Sequence, residues 1–179
     1  RRKILKIFGI YSLLWLFILF INNIQLSYII APMFSIAPTK AKLTIDYYYG
    51  GMFCQQMVFS TISFLIIYLG LKFPASLGWF HEATINPISL SFAIVAVQIQ
   101  NFIRRLFFSQ KKIISAIFCD LVSYPTLIAI LVYLNYIGKF NLVNIFWSYT
   151  ASFSIGILIG VPNLISLKYK YNEIVKSKE

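Results

Sequence analysis

Acidic residues are nearly missing from this chain: 5 Asp and Glu among 179 residues, against 16 Lys and Arg. The few present, Asp46, Glu82, Asp120, Glu173 and Glu179, are scattered, so nothing resembles a paired-carboxylate hydrolase site. Histidine occurs once, at His81 beside Glu82 in a predicted outer loop, and a lone histidine is no metal site. The 2 cysteines, Cys54 and Cys119, both fall inside apolar runs, with no Cys or His neighbour at zinc spacing. They read as buried thiols, outside any disulfide framework. No nucleophile–base pair, glycine-rich phosphate loop or N-x-[ST] acceptor is present, so the sequence offers catalysis no support, calls for no cofactor and suggests no enzyme. Charge of either sign is scarce: 12% of residues are charged, where a soluble domain has about 25%.

What fills the sequence instead is apolar and aromatic. Hydrophobic residues make up 59% and aromatics 18%, with a mean hydropathy of +0.77. One water-facing fold of this length could not hide that surface, which leaves an all-α integral membrane protein as the fold class. The net charge of +11 would suggest nucleic acid in a soluble protein. Here the basic residues flank apolar runs, so they read as topology signals and lipid headgroup contacts, with membrane lipids as partners and no nucleic acid.

A helix needs about 20 apolar residues to cross the hydrocarbon. Five segments qualify, near 7–31, 51–71, 87–107, 113–136 and 142–167. The first stays apolar to Ala37 but is interrupted by Asn22, Asn23, Gln25 and Pro32, which predicts one tilted or kinked helix and not two spans. The second opens at Gly50-Gly51, and the third has Pro87 in its first turn. The fourth carries Pro125, where a kink is expected. The short connections, including 38–49, predict an antiparallel bundle, and 168–179 reads as a polar tail or linker. The chain begins Arg-Arg-Lys and enters an apolar run at once, with no short signal-type stretch or cleavage site; it reads as a piece of a longer protein.

Ten loop cations (Lys40, Lys42, Arg104, Arg105, Lys111, Lys112, Lys168, Lys170, Lys176 and Lys178) fall on one side, against Lys72 and Lys139 on the other. The first side is therefore expected to be cytoplasmic, together with the C-terminal tail, in a multi-pass protein of the cell membrane. The cluster of Arg1, Arg2, Lys3 and Lys6 conflicts with this unless an earlier helix dictates orientation.

Intramembrane ionisable groups are functional candidates, because each costs roughly 2.5–3.5 kcal/mol at a span centre. Asp120 lies about eight residues into the fourth span. Folding the hairpin about Gln110 sets it level with Gln100 and Asn101, and one turn from Arg104 and Arg105. These five form a candidate polar cluster, either a structural ion pair with snorkelling arginines or a direct participant in transport. Asn22, Asn23 and Gln25 form a second cluster, which must face a partner helix or a wet cavity. Ser152, Gly156 and Gly160 make a stripe of small residues suited to close packing within the bundle.

The run Gln100-Asn101-Phe102-Ile103-Arg104-Arg105-Leu106-Phe107-Phe108, followed by Lys111-Lys112, Ala116, Asp120 and Tyr124, resembles a junction in the polysaccharide-biosynthesis membrane proteins. These are the O-antigen and exopolysaccharide flippases, related to the multidrug and toxin extrusion transporters. Phe8-Gly9-Ile10-Tyr11 and Ile29-Ile30-Ala31-Pro32-Met33 resemble that family's second helix and its end. Asn101 departs from the acid the family more often carries there, so the resemblance implies no fixed carboxylate partner for Arg104 at that position. The resemblance implies one part of a half of a pseudo-symmetric two-bundle transporter, moving a lipid-linked oligosaccharide between leaflets by alternating access. Arg104 or Arg105 would meet the carrier's pyrophosphate, and glycosyltransferases or a polymerase of the same pathway would be partners. A non-transporting membrane scaffold, or a small-molecule or drug exporter of the same superfamily, are the alternatives.

Overall fold

A computed structural model describes residues 2–40, 42–76 and 86–176. Helix α1 (Arg2–Gln25) passes through a π turn (Leu26–Ile30) into α2 (Ala31–Ile36) and a closing 3-10 turn (Ala37–Thr39). The π turn follows from Pro32. Its ring has no N–H for the carbonyl four residues back and would clash with it. One residue earlier, the Ala31 N–H already reaches back five residues to the Leu26 carbonyl. The wider turn makes room for the ring, and the segment forms one span and not two, as expected.

Helix α3 spans Lys42–Ser76, α4 Pro87–Ser109, α5 Ile113–Tyr136 and α6 Leu142–Lys176; no strand occurs among the described residues. Two expected boundaries need correction. The connection expected over 38–49 is largely helix, because α3 begins at Lys42 and runs straight through Gly50-Gly51. Two helical glycines cost about 1 kcal/mol each against alanine, but the flanking Tyr49 and Met52 are both buried in the bundle. Tertiary contact outweighs propensity there. Likewise α6 continues past Leu167 to Lys176, so the expected tail is helical that far. Elsewhere the expected ends hold for α5, which contains Pro125 within its helix, and Pro87 opens α4 behind Asn86, whose side chain accepts the Ile88 N–H at 3.0 Å. His81 and Glu82 lie outside the described residues.

The helices run up and down. Phe53 meets Phe102 and Phe64 meets Phe92, so α3 and α4 are antiparallel. Tyr124 meets Phe153 while Cys119 lies by Gly160, so α5 and α6 are antiparallel as well. Helix α4 occupies the middle. It packs against α1 and α6 at one end through Ile18, Leu90, Ile94 and Phe146, and against α2, α3 and α5 at the other through Met33, Tyr49, Phe107 and Ala116. The second end, which also carries Lys40, Lys111 and Lys112, is called the basic end below.

Small residues let α6 approach this closely, as the Ser152 stripe predicts. A Cβ on Gly156 would collide with Ser123 Oγ, and one on Gly160 would sit 3.1 Å from Cys119 Sγ and 3.2 Å from Ile103 Cγ2. The α4–α5 turn closes with the Lys112 N–H on the Phe107 carbonyl at 2.9 Å and the Lys111 N–H on that of Phe108 at 3.0 Å. This capping pattern needs a left-handed residue, normally glycine. Gly138 (φ 67°) supplies it after α5, whereas Lys111 (φ 60°) supplies it here.

Several polar side chains are enclosed beside the apolar core, while many large apolar ones face outward. Ser89, Ser91, Gln98, Ser123 and Ser152 are wholly enclosed, while Leu13, Ile114, Leu121, Ile128 and Leu158 are 62–83% exposed. Leu16 and Val58 lie outward too. Such a surface is tolerated in hydrocarbon, where helices associate through packing and polar contacts. Four of the rods, Tyr11–Thr39, Tyr47–Phe73, Ile113–Tyr136 and Leu142–Gly160, are long and apolar enough to span. The 23 residues of α4 reach about 35 Å, but Gln98, Gln100, Asn101, Arg104 and Arg105 lower its hydropathy below theirs. Its neighbours enclose much of that polarity. The chain is an all-α, multi-pass membrane protein. Of the two cysteines, Cys119 is buried as expected but Cys54 is exposed, on the outward face of α3.

Candidate functional site

The α4–α5 hairpin brings together part of the expected polar cluster. Asp120, on the first half of α5, meets Arg104 on the last turns of α4: Nη1 donates to Oδ2 at 3.2 Å. The second guanidinium nitrogen, Nη2, donates to Asn101 Oδ1 at 3.1 Å, one turn back on α4. The Asn101 amide oxygen is therefore the second acceptor of the Arg104 guanidinium. The Arg104 and Asp120 side chains are 23% and 29% exposed, and Asp120 Oδ1 is buried with no hydrogen-bond partner among the described residues.

Gln100 does not join this group. It is buried and donates from Nε2 to Ser123 Oγ at 2.9 Å, while that hydroxyl donates to the Cys119 carbonyl at 2.8 Å. Arg105 is also separate. Successive helix positions differ by about 100°, so adjacent arginines cannot share one carboxylate seam. Arg105 is half-buried and makes no hydrogen bond or ion pair with the described residues. Nearby, burial pushes the Lys112 ammonium below the ordinary lysine range. The basic end thus presents one guanidinium paired with a carboxylate, one with no partner among the described residues, and a cationic turn.

The second expected cluster divides three ways. Gln25 is 1% exposed and bridges three helices: its Nε2 donates to Gln56 Oε1 on α3 at 2.9 Å and to the Gln98 carbonyl on α4 at 2.8 Å. Gln56 in turn donates to Ser60 Oγ at 2.9 Å. Asn22 is partly buried, with a buried Oδ1 that has no hydrogen-bond partner among the described residues. Asn23 is exposed and, with Phe20, Ile24, Ser27 and Tyr28, lines an open groove of about 420 Å³ along α1 and the π turn. Nothing among the described residues bonds its amide.

From Asn23 a track of small and polar residues, Ser27, Ala31, Ser35 and Thr39, follows at four-residue spacing, all exposed. Ser35 and Thr39 satisfy their hydroxyls on carbonyls of their own rod. Sequence reasoning missed Gln56, Ser60 and Gln98. The available signal was a polar side chain standing alone in an apolar span, which must find an interhelical partner.

No metal-holding group of three or more His, Cys, Asp or Glu occurs among the described residues. The site can neutralise, orient and hydrate an anionic or polar group, and no reactive pair is assembled within it. No protein-family model, no curated protein and no solved structure matches this chain.

Proposed function

We propose that this bundle is one wall of a membrane transporter, with a hydrated track along α1 and α2 opening at the basic end. The observation that carries the proposal is Asn23. It lies near the middle of the Tyr11–Thr39 span, exposed, with an amide that no described residue satisfies. Against lipid tails such an amide costs several kcal/mol. Against water it costs nothing. The track from Asn23 to Thr39 carries that wet face to the end where Arg105 and the basic turn are found.

A guanidinium with no partner among the described residues suits an anion there, and its planar fork suits phosphate oxygens. Together with the likeness of the Arg104-Arg105 junction to the oligosaccharide flippases, this favours a lipid-linked, pyrophosphate-bearing saccharide as the substrate, moved from the cytoplasmic leaflet outward by alternating access. The cell membrane, with the basic end cytoplasmic, is the location this reading requires.

A second reading is a non-transporting scaffold. The small residues Ser27, Ala31 and Ser35 would let another helix approach the same face closely. Deletion of the gene separates the two readings. The transporter reading expects lipid-linked oligosaccharide to accumulate on the inner leaflet, with rescue by the intact protein; no accumulation overturns it.

A further inference from the structure

At the centre of the bundle, between the two hydrophobic clusters, lies an amide that the protein itself does not satisfy. Gln98 is fully buried, yet neither Nε2 nor Oε1 has a hydrogen-bond partner among the described residues. Its position is midway along the Pro87–Ser109 helix. On α4 it stands one turn from Ile94 and one turn from Phe102, which belong to the two clusters that pack against the α1–α2 rod.

Asn22 Oδ1 is the matching feature on α1. It is buried and unpartnered. Asn22 shares a helix face with Ile18, Gln25 and Ile29. Ile18 lies in the same buried cluster as Ile94, Gln25 bonds the Gln98 carbonyl, and Ile29 lies in the same buried cluster as Phe102. The two helices therefore run parallel there, with Gln25 level with Gln98 and Asn22 a turn nearer the end opposite the basic one. An acceptor on α1 and a donor–acceptor pair on α4, all buried, thus lie about one helical turn apart along the α1–α4 seam without bonding each other.

We propose that this seam is a binding site for a small neutral ligand that both donates and accepts hydrogen bonds: water held at mid-membrane depth between α1 and α4. One water donating to Asn22 Oδ1 and Gln98 Oε1 while accepting from Gln98 Nε2 makes three bonds, the usual complement of an internal water. A bare alkali cation fits poorly. It would use the oxygens but face the Gln98 N–H2, and Asp120, the carboxylate of the membrane-spanning part of α5, is engaged by Arg104. The site does not depend on the proposed transport function. Functionally it leaves α1 and α4 joined through an exchangeable bridge beside the direct Gln25 bond, at the level where the π turn begins.

The test uses the full chain in lipid bilayers. Water-edited solid-state NMR of protein labelled on glutamine side-chain nitrogen reads transfer from water to each amide. A cross-peak that is lost in Gln98→Met is expected, with build-up as fast as for exposed side chains. Absence of any Gln98 transfer, with exposed amides transferring normally, overturns the site. Thermal unfolding of Gln98→Met gives an independent reading. A dry, unsatisfied amide predicts a rise in melting temperature when the near-isosteric apolar side chain replaces it, and that rise would overturn the proposal. The wet site predicts an unchanged or lower melting temperature, with Asn22→Leu and Gln98→Met non-additive because they share one ligand. Additive effects count against it.

Discussion

Replacing Asp120 by Asn removes a charge while keeping the shape and an acceptor for Arg104. At 3.2 Å the pair attracts with about 5 kcal/mol gross at an effective dielectric of about 20. Desolvation of both groups takes back much of this. Exposed pairs are worth about 0–1 kcal/mol, and breaking a fully buried pair costs about 3–5 kcal/mol. With side chains 23% and 29% exposed, this pair falls between those limits, so Asp120→Asn is expected to cost about 1–3 kcal/mol. Arg104→Gln should cost a similar amount, since it strands a carboxylate whose Oδ1 already lacks a partner among the described residues. The double variant removes both charges and should recover part of the loss, giving a coupling energy of about 1–2 kcal/mol. Reversible unfolding in bicelles measures all three. Zero coupling, or an Asp120→Asn protein as stable as the parent, refutes the reasoning. If Asp120→Asn keeps its expression level but loses transport, the pair acts in transport; if the protein is lost, the pair is structural.

Three further outcomes follow from local geometry. Gly156→Ala should destabilise by about 1–3 kcal/mol, because its Cβ displaces Ser123 Oγ from Gln100 and Cys119; the same unfolding assay checks it. Gly51→Ala should stabilise by about 0.5–1 kcal/mol, since the added methyl meets nothing within 4 Å on a helical backbone. Lys111→Gly should stabilise by about 1 kcal/mol by relieving a left-handed residue, visible as a raised melting temperature.

The apolar runs made the number of rods, the ends of α5 and the α4–α5 hairpin legible. Folding the hairpin about Gln110 placed Asp120 within reach of Arg104, because register near a short turn is set by local geometry. What depends on distant partners was not legible. Periodicity tells which face of α1 is polar but not that Gln25 meets Gln56 and Gln98, respectively 31 and 73 residues away. The same limit hid the separation of Arg105 from Arg104's carboxylate and the split of Asn22, Asn23 and Gln25 over three environments. Gly50-Gly51 misled because local propensity marks a boundary that burial of Tyr49 and Met52 overrides.

The wet face of α1 and α2 is the feature on which the functional account turns. Single cysteines along 20–39, in a background lacking Cys54 and Cys119, can be probed in intact membranes with a membrane-impermeant thiol reagent from the basic end. The account predicts labelling at 23, 27, 31, 35 and 39, with protection at the buried 25, 29 and 33. Uniform protection of 23 and 27, with labelling confined to 39, would contradict it and leave that face to lipid or to a partner helix.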